Sequence, residues 1–146
     1  EFSFNTEHNP DIGIILDELS KRGFVCLDIN RISEQQWEYV LEVNEPRLPN
    51  TKFLAKSATL NLREVSGEYW LALNANGDLH IQTINFIKWN PRVVLYDKNL
   101  GIVDIVANTG MSASAKIRVP RGVKFVMITD YDSPESLKGG ISVNLK

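Results

Sequence analysis

Few side chains in this sequence are spaced for chemistry, and those few suggest binding more than catalysis. Asn74-Ala75-Asn76-Gly77-Asp78 sets oxygen-bearing side chains at i, i+2 and i+4 on a tight turn. Alternate side chains of such a turn converge on one point, as in calcium loops, although Asn-Gly beside an Asp is also ordinary hairpin chemistry. Asp130-Tyr131-Asp132-Ser133-Pro134-Glu135 holds three acids in six residues and reads as a solvated loop or, more sharply, as a second cation loop. Calcium held by Asp78, Asp130 and Asp132 is therefore the one cofactor the sequence raises.

Lys116, Arg118, Arg121 and Lys124 lie within nine residues. On a strand Lys116 and Arg118 share a face, so a basic stripe is geometrically reasonable. It suits an acidic glycan, a phosphate surface or an acidic partner, or else it is a solvated sheet face that resists edge pairing. Trp89 falls in the polar run Lys88-Trp89-Asn90-Pro91, and Tyr131 in the acidic loop. As exposed loop aromatics both are candidate contacts for a sugar ring or a protein, with core packing the competing reading for Trp89. Tyr69 and Trp70 are adjacent on one strand and must face opposite sides.

Catalytic sets are missing. The two histidines, His8 and His80, have no nearby partner in sequence, and Cys26 in the apolar run Phe24-Val25-Cys26-Leu27 is expected to be a buried, inert thiol, with a reactive or intermolecular thiol the alternative. There is no nucleophile elbow, phosphate-cradling glycine loop or His-Glu-x-x-His. The expectation is that the chain is not an enzyme; two facing acids among its 18 carboxylates remain the alternative. A net charge of −2 argues against a nucleic-acid partner, and no apolar run is long enough for membrane insertion. The first residues, Glu1-Phe2, lack a start Met and read as the beginning of an excised or processed fragment.

These residues must be positioned by a mainly β (α+β) domain. Asn9-Pro10-Asp11 starts a helix whose Ile12, Ile15, Leu16 and Leu19 form one apolar stripe, ended by Lys21-Arg22-Gly23. Ser33 and Gln36 have capping-box spacing and Ile32 with Trp37 fits a hydrophobic staple, which predicts a second helix from about Glu34 to Glu42. Glu45-Pro46-Arg47-Leu48-Pro49-Asn50 reads as a linker. The expected division is residues 1–50 as a helical segment packed on a sandwich, and residues 51–146 as the sandwich itself.

From Thr51 onward the signals are β. Asn76-Gly77 predicts a hairpin between a strand at Tyr69–Leu73 and one at Leu79–Phe86, with a bulge near Thr83 where the apolar phase slips. Arg92–Asp97 and Ile102–Ala107 form another hairpin, and Pro120-Arg121-Gly122 joins Ala115–Val119 to Val123–Thr129. With Ile141–Leu145 and the strands before Val65, about eight strands at regular spacing predict an antiparallel sandwich or jelly roll preceded by two short helices.

The order of features from Glu68 to Leu145 resembles bacterial pre-peptidase C-terminal domains. An aromatic-apolar strand and turn are matched by Tyr69 to Gly77, and a strand ending in a Tyr-Asp turn by Val94 to Gly101. A Pro-x-Gly turn before an apolar strand is matched by Val119 to Phe125, and a Gly-led final strand by Gly140 to Leu145. The resemblance covers just over half the chain and implies a secreted, non-catalytic accessory domain, sometimes calcium-stabilised. The function expected is a binding module of a larger extracytoplasmic or cell-surface protein, contacting a protein or glycan through sandwich loops. The alternative is a structural assembly subunit, of a capsid, pilus or secretion apparatus, that self-associates as a homo-oligomer.

Overall fold

The computed structural model describes residues 11–43, 46–48, 50–107 and 110–146. His8, the Asn9-Pro10 helix start, and Glu45 and Pro49 of the proposed linker lie outside the described residues. The chain divides into two compact units, Glu1–Pro49 and Asn50–Lys146.

The N-terminal unit holds one helix and one hairpin. Helix α1 spans Ile12–Lys21, and Asp11 is its N-cap, with a side-chain oxygen accepting the Gly13 N–H at 2.7 Å. Gly23, at φ 84°, supplies the left-handed residue after its end. Strand β1 (Phe24–Ser33) pairs antiparallel with β2 (Gln36–Val43).

The predicted second helix is therefore a strand. Trp37, Tyr39, Val40 and Val43 favour a pleated surface over a helix, and Phe24–Ser33 offers them a partner. Ser33 does not cap a helix: its hydroxyl accepts the Gln35 N–H across the Glu34-Gln35 turn. The Arg31 guanidinium lies over the Trp37 ring, 5.4 Å from its centroid, on the facing strands.

The C-terminal unit is a sandwich of two sheets. One has five strands in the order β3 (Lys52–Leu54), β5 (Tyr69–Leu73), β10 (Phe125–Asp130), β7 (Pro91–Tyr96) and β8 (Ile102–Ala107). The other has four, in the order β4 (Thr59–Leu62), β11 (Ile141–Leu145), β6 (Gly77–Thr83) and β9 (Ser114–Val119). All pairs are antiparallel except β3 with β5. Between the sheets lie Tyr69, Leu71, Leu73, Val93, Leu95, Val126 and Ile128 from one side, and Leu62, Leu79, Ile81, Ile117, Ile141, Val143 and Leu145 from the other.

The described residues thus hold one α-helix and eleven strands, against the two helices and about eight strands expected. Two predicted hairpins are arches between sheets. Asn76-Gly77 carries the chain from β5 in the five-stranded sheet to β6 in the four-stranded one, and Pro120-Arg121-Gly122 carries it from β9 to β10. Turn chemistry reports that the chain reverses, not that the flanking strands pair. The phase slip after Thr83 is the end of β6, not a bulge: Ile84-Asn85 turn and Phe86 takes φ 55°.

Candidate functional site

Each predicted site residue has a definite place. Asp78, the second residue of β6, lies on the outer face of the four-stranded sheet. Lys116 Nζ and Arg118 Nη1 each lie 3.0 Å from its carboxylate, because β6 and β9 pair with Asp78 opposite Arg118. Its hydrogen bonds with Lys116 first, and Arg118 next, hold its carboxyl below the ordinary aspartate value. Half of the basic quartet is therefore bound to the acid proposed as a cation ligand. Arg121 sits exposed in the β9–β10 arch and Lys124 exposed at the entry to the other sheet, so the four do not line one hairpin.

Asp130 ends β10 opposite Pro91 and is nearly buried. Its carboxylate accepts the N–H groups of Asp132 (2.8 Å) and Ser133 (3.3 Å) and the Ser136 hydroxyl. Burial pushes its carboxyl upward, but these bonds and that of the Asn90 backbone outweigh it and hold it below the ordinary value. Asp132 accepts from Asn90 Nδ2 at 3.1 Å. Asp130 thus organises the loop that leads into the 3-10 turn Pro134–Leu137, whose Leu137 carbonyl accepts the Tyr69 hydroxyl at 2.6 Å.

The three acids do not converge. Leu73 N–H donates to the Lys124 carbonyl, so Gly77 and Asp78 follow at the Lys124 end of β10, while Asp130 closes its other end. Among the described residues no three His, Cys, Asp or Glu side chains gather where a metal ion could be held. Tyr131 is exposed beside Asp130, and so stands at the opposite end of the sandwich from Arg121 and Lys124.

Trp89 is not a surface contact. It is 0% exposed, because its backbone forms a two-way bridge with Ser112 that pulls the indole into the core. The polar neighbours Lys88 and Asn90 had suggested a loop, and only a pairing with a residue 23 positions away reveals the burial.

What sequence reasoning missed is the contrast between the two outer sheet faces. On the four-stranded sheet the outward residues are Thr59, Asn61, Ser142, Asn144, Asp78, His80, Gln82, Ser114, Lys116 and Arg118, all polar. On the five-stranded sheet, register sets Phe53, Ala72, Phe125, Tyr96 and Ile102 in one row across the strands. Trp70, Met127, Val94 and Ile105 form the next row. Both rows are apolar apart from the Tyr96 hydroxyl and the Trp70 indole N–H. Trp70 and Tyr96 stack over the central strand with ring centroids 5.4 Å apart, and Phe125 and Met127 are buried there outside the inter-sheet core. Toward the edges Phe53 is 57% exposed, Ile102 61% and Ile105 49%.

The legible signal was β10 itself: Phe125-Val126-Met127-Ile128 does not alternate, as a strand covered on both faces does not. In the N-terminal unit none of the described residues is buried, and Ile14, Val25, Leu27, Ile32 and Val40 are exposed.

Fold and surface together define a two-sheet, mainly antiparallel β-sandwich whose four-stranded sheet is polar outside and whose five-stranded sheet carries two apolar rows there, bordered by Thr129 and Arg92. A solved structure similar to it is the pre-peptidase C-terminal domain of a collagenase from Bacillus anthracis, at 13% identity and a TM-score of 0.41, over 68% of this chain and 98% of that one. No protein-family model matches the chain, and no curated protein does. Among the described residues no helix is long and apolar enough to cross a membrane.

Proposed function

We propose that this chain is a non-catalytic binding module of a larger extracytoplasmic or surface protein, and that it meets the apolar surface of a partner protein through the outer face of the five-stranded sheet. The observation that carries this is the contrast of faces: one sheet is polar across its outer face, and the other carries two adjacent apolar rows. An uncovered apolar patch of this kind marks a contact surface more often than chance exposure does. A protein fits better than a glycan. The Trp70 indole N–H already donates to Glu68 Oε1 at 2.7 Å and its ring stacks on Tyr96, while at the open rim two of the three residues, Ile102 and Ile105, are aliphatic and only Phe53 is aromatic.

Two double variants test this against the partner that immobilised wild-type chain retains, once that partner is purified. Phe53→Ser with Ile105→Ser is expected to weaken its binding tenfold or more, and Lys116→Ala with Arg118→Ala to leave it unchanged. The reverse pattern would move the site to the basic sheet face. If the retained partner is the chain itself, the assembly-subunit alternative holds.

Calcium has no part in this reading, since the carboxylates of Asp78 and Asp130 are already occupied by protein donors. A melt with millimolar calcium and then with chelator is expected to give one and the same transition temperature. A calcium-dependent rise of several degrees would mean that the folded state binds the ion.

A further inference from the structure

Two aspartates, one in each unit of the chain and one of them between the rim residues Ile102 and Ile105, share one arrangement. In β1, Cys26 faces Leu41 and Asp28 faces Val40, which leaves Leu27 between them as a bulged residue. Asp28 Oδ1 accepts the N–H of the following Ile29 at 2.9 Å. In β8, Ile102 faces Tyr96 and Asp104 faces Leu95, leaving Val103 bulged, and Asp104 Oδ1 accepts the Ile105 N–H at 2.8 Å. Leu27-Asp28-Ile29 and Val103-Asp104-Ile105 therefore repeat one device: an exposed apolar bulged residue, then a carboxylate that caps the next amide.

Among the described residues both strands are edges, β1 pairing only with β2 and β8 only with β7. An edge strand offers unpaired amides and carbonyls to any incoming strand, and bulges and edge charges are the means by which proteins refuse it. β8 needs such protection most. Ile102 to Ala107 is otherwise apolar, of high β propensity, and exposed along most of its length.

We propose that Asp28 and Asp104 are edge guards, and that Asp104 in particular keeps β8 from adding to β8 of a second copy of this chain. Charge identifies the excluded partner. Antiparallel pairing of two such strands matches Ile and Val with Ile and Val, and the only charges it brings together are the two Asp104 carboxylates. Like charges on facing strands are unfavourable, and each carboxylate must also release its amide before a new strand can take it. The edge is thus closed while the adjoining sheet face stays open, so the two surfaces are tested by different substitutions.

Sedimentation of the wild type, Asp104→Val, Asp104→Asn, Gln82→Val and Glu34→Gln over a concentration series provides the test. Gln82→Val adds an exposed apolar group on a central strand, and Glu34→Gln removes a charge from the hairpin turn. Asp104→Val is expected to raise the self-association constant tenfold or more over wild type, Asp104→Asn to raise it less, and the two controls to leave it unchanged. A folded Asp104→Val variant that associates no more than wild type would overturn the proposal, as would equal association by either control. If Asp104→Val fails to fold, Asp104→Asn decides: wild-type behaviour overturns the guard.

Discussion

Replacing Trp89 by Ala is expected to cost the sandwich about 3–5 kcal/mol, the usual range for truncating a buried Trp. For a unit of this size that is roughly 15 °C or more in melting temperature. The indole is fully enclosed, so the variant leaves a cavity that its neighbours on both sheets cannot close without moving. Trp89→Phe separates packing from polarity. The indole Nε1–H is buried and has no hydrogen-bond partner among the described residues, so Phe removes an unsatisfied donor while keeping much of the ring volume. Its melting temperature should fall by much less than that of Trp89→Ala. Equal losses for the two would mean that ring volume is not what Trp89 contributes, and a harmless Trp89→Ala would return this side chain to the surface.

Asp130→Ala is the second large effect, expected at roughly 2–4 kcal/mol in chemical denaturation at neutral pH. It strips the acceptor from the Asp132 and Ser133 amides and the Ser136 hydroxyl in a nearly buried site, and hydrogen bonds to charged groups are among the stronger ones. The pH dependence has a definite sign. The folded carboxyl lies below its ordinary value, so its contribution is complete above the unfolded aspartate pKa of about 3.9 and is lost as pH falls through the lower, folded value. The stability gap between wild type and Asp130→Asn should therefore be wide at pH 7 and narrower at pH 3. A gap that stays constant or grows on acidification would contradict the assignment of Asp130 as a charged loop anchor.

These two residues also mark where the sequence was legible and where it was not. The sandwich followed from strand periodicity, because Thr59–Leu62, Leu79–Thr83 and Ile141–Leu145 alternate with one face buried. The β7–β8 hairpin was local and was read correctly. The helix at Glu34–Glu42 was misread because the capping spacing of Ser33 and Gln36 is a four-residue signal, whereas the pairing of β2 with β1 engages the whole segment. Asn76-Gly77 and Pro120-Arg121-Gly122 were misread for a related reason: a turn dipeptide is local, and the choice between hairpin and arch is made by the sheets on either side. The burial of Trp89 and the anchoring of Asp130 were not legible because they depend on contacts outside the local run, with Ser112 for the first and with Ser136 and the Asn90 backbone for the second.

The candidate surface was half legible. The non-alternating Phe125–Ile128 run is a local sign that was passed over, and only the register of five strands places Phe53, Tyr96 and Ile102 in one row with Phe125. The Lys116–Arg118 stripe does lie on one sheet face, yet Asp78, read as a cation ligand, is ion-paired with both of its members.

The most direct test of the docking face is side-chain oxidation footprinting of the chain alone and in complex with its retained partner. Phe53, Trp70, Tyr96, Ile102 and Ile105 should become protected on binding, with His80 on the polar sheet face and Tyr131 at the sandwich end labelled as before. Protection at His80 or Tyr131, with Phe53 and Ile105 still labelled, would contradict the account and place the contact on the polar sheet or the loops.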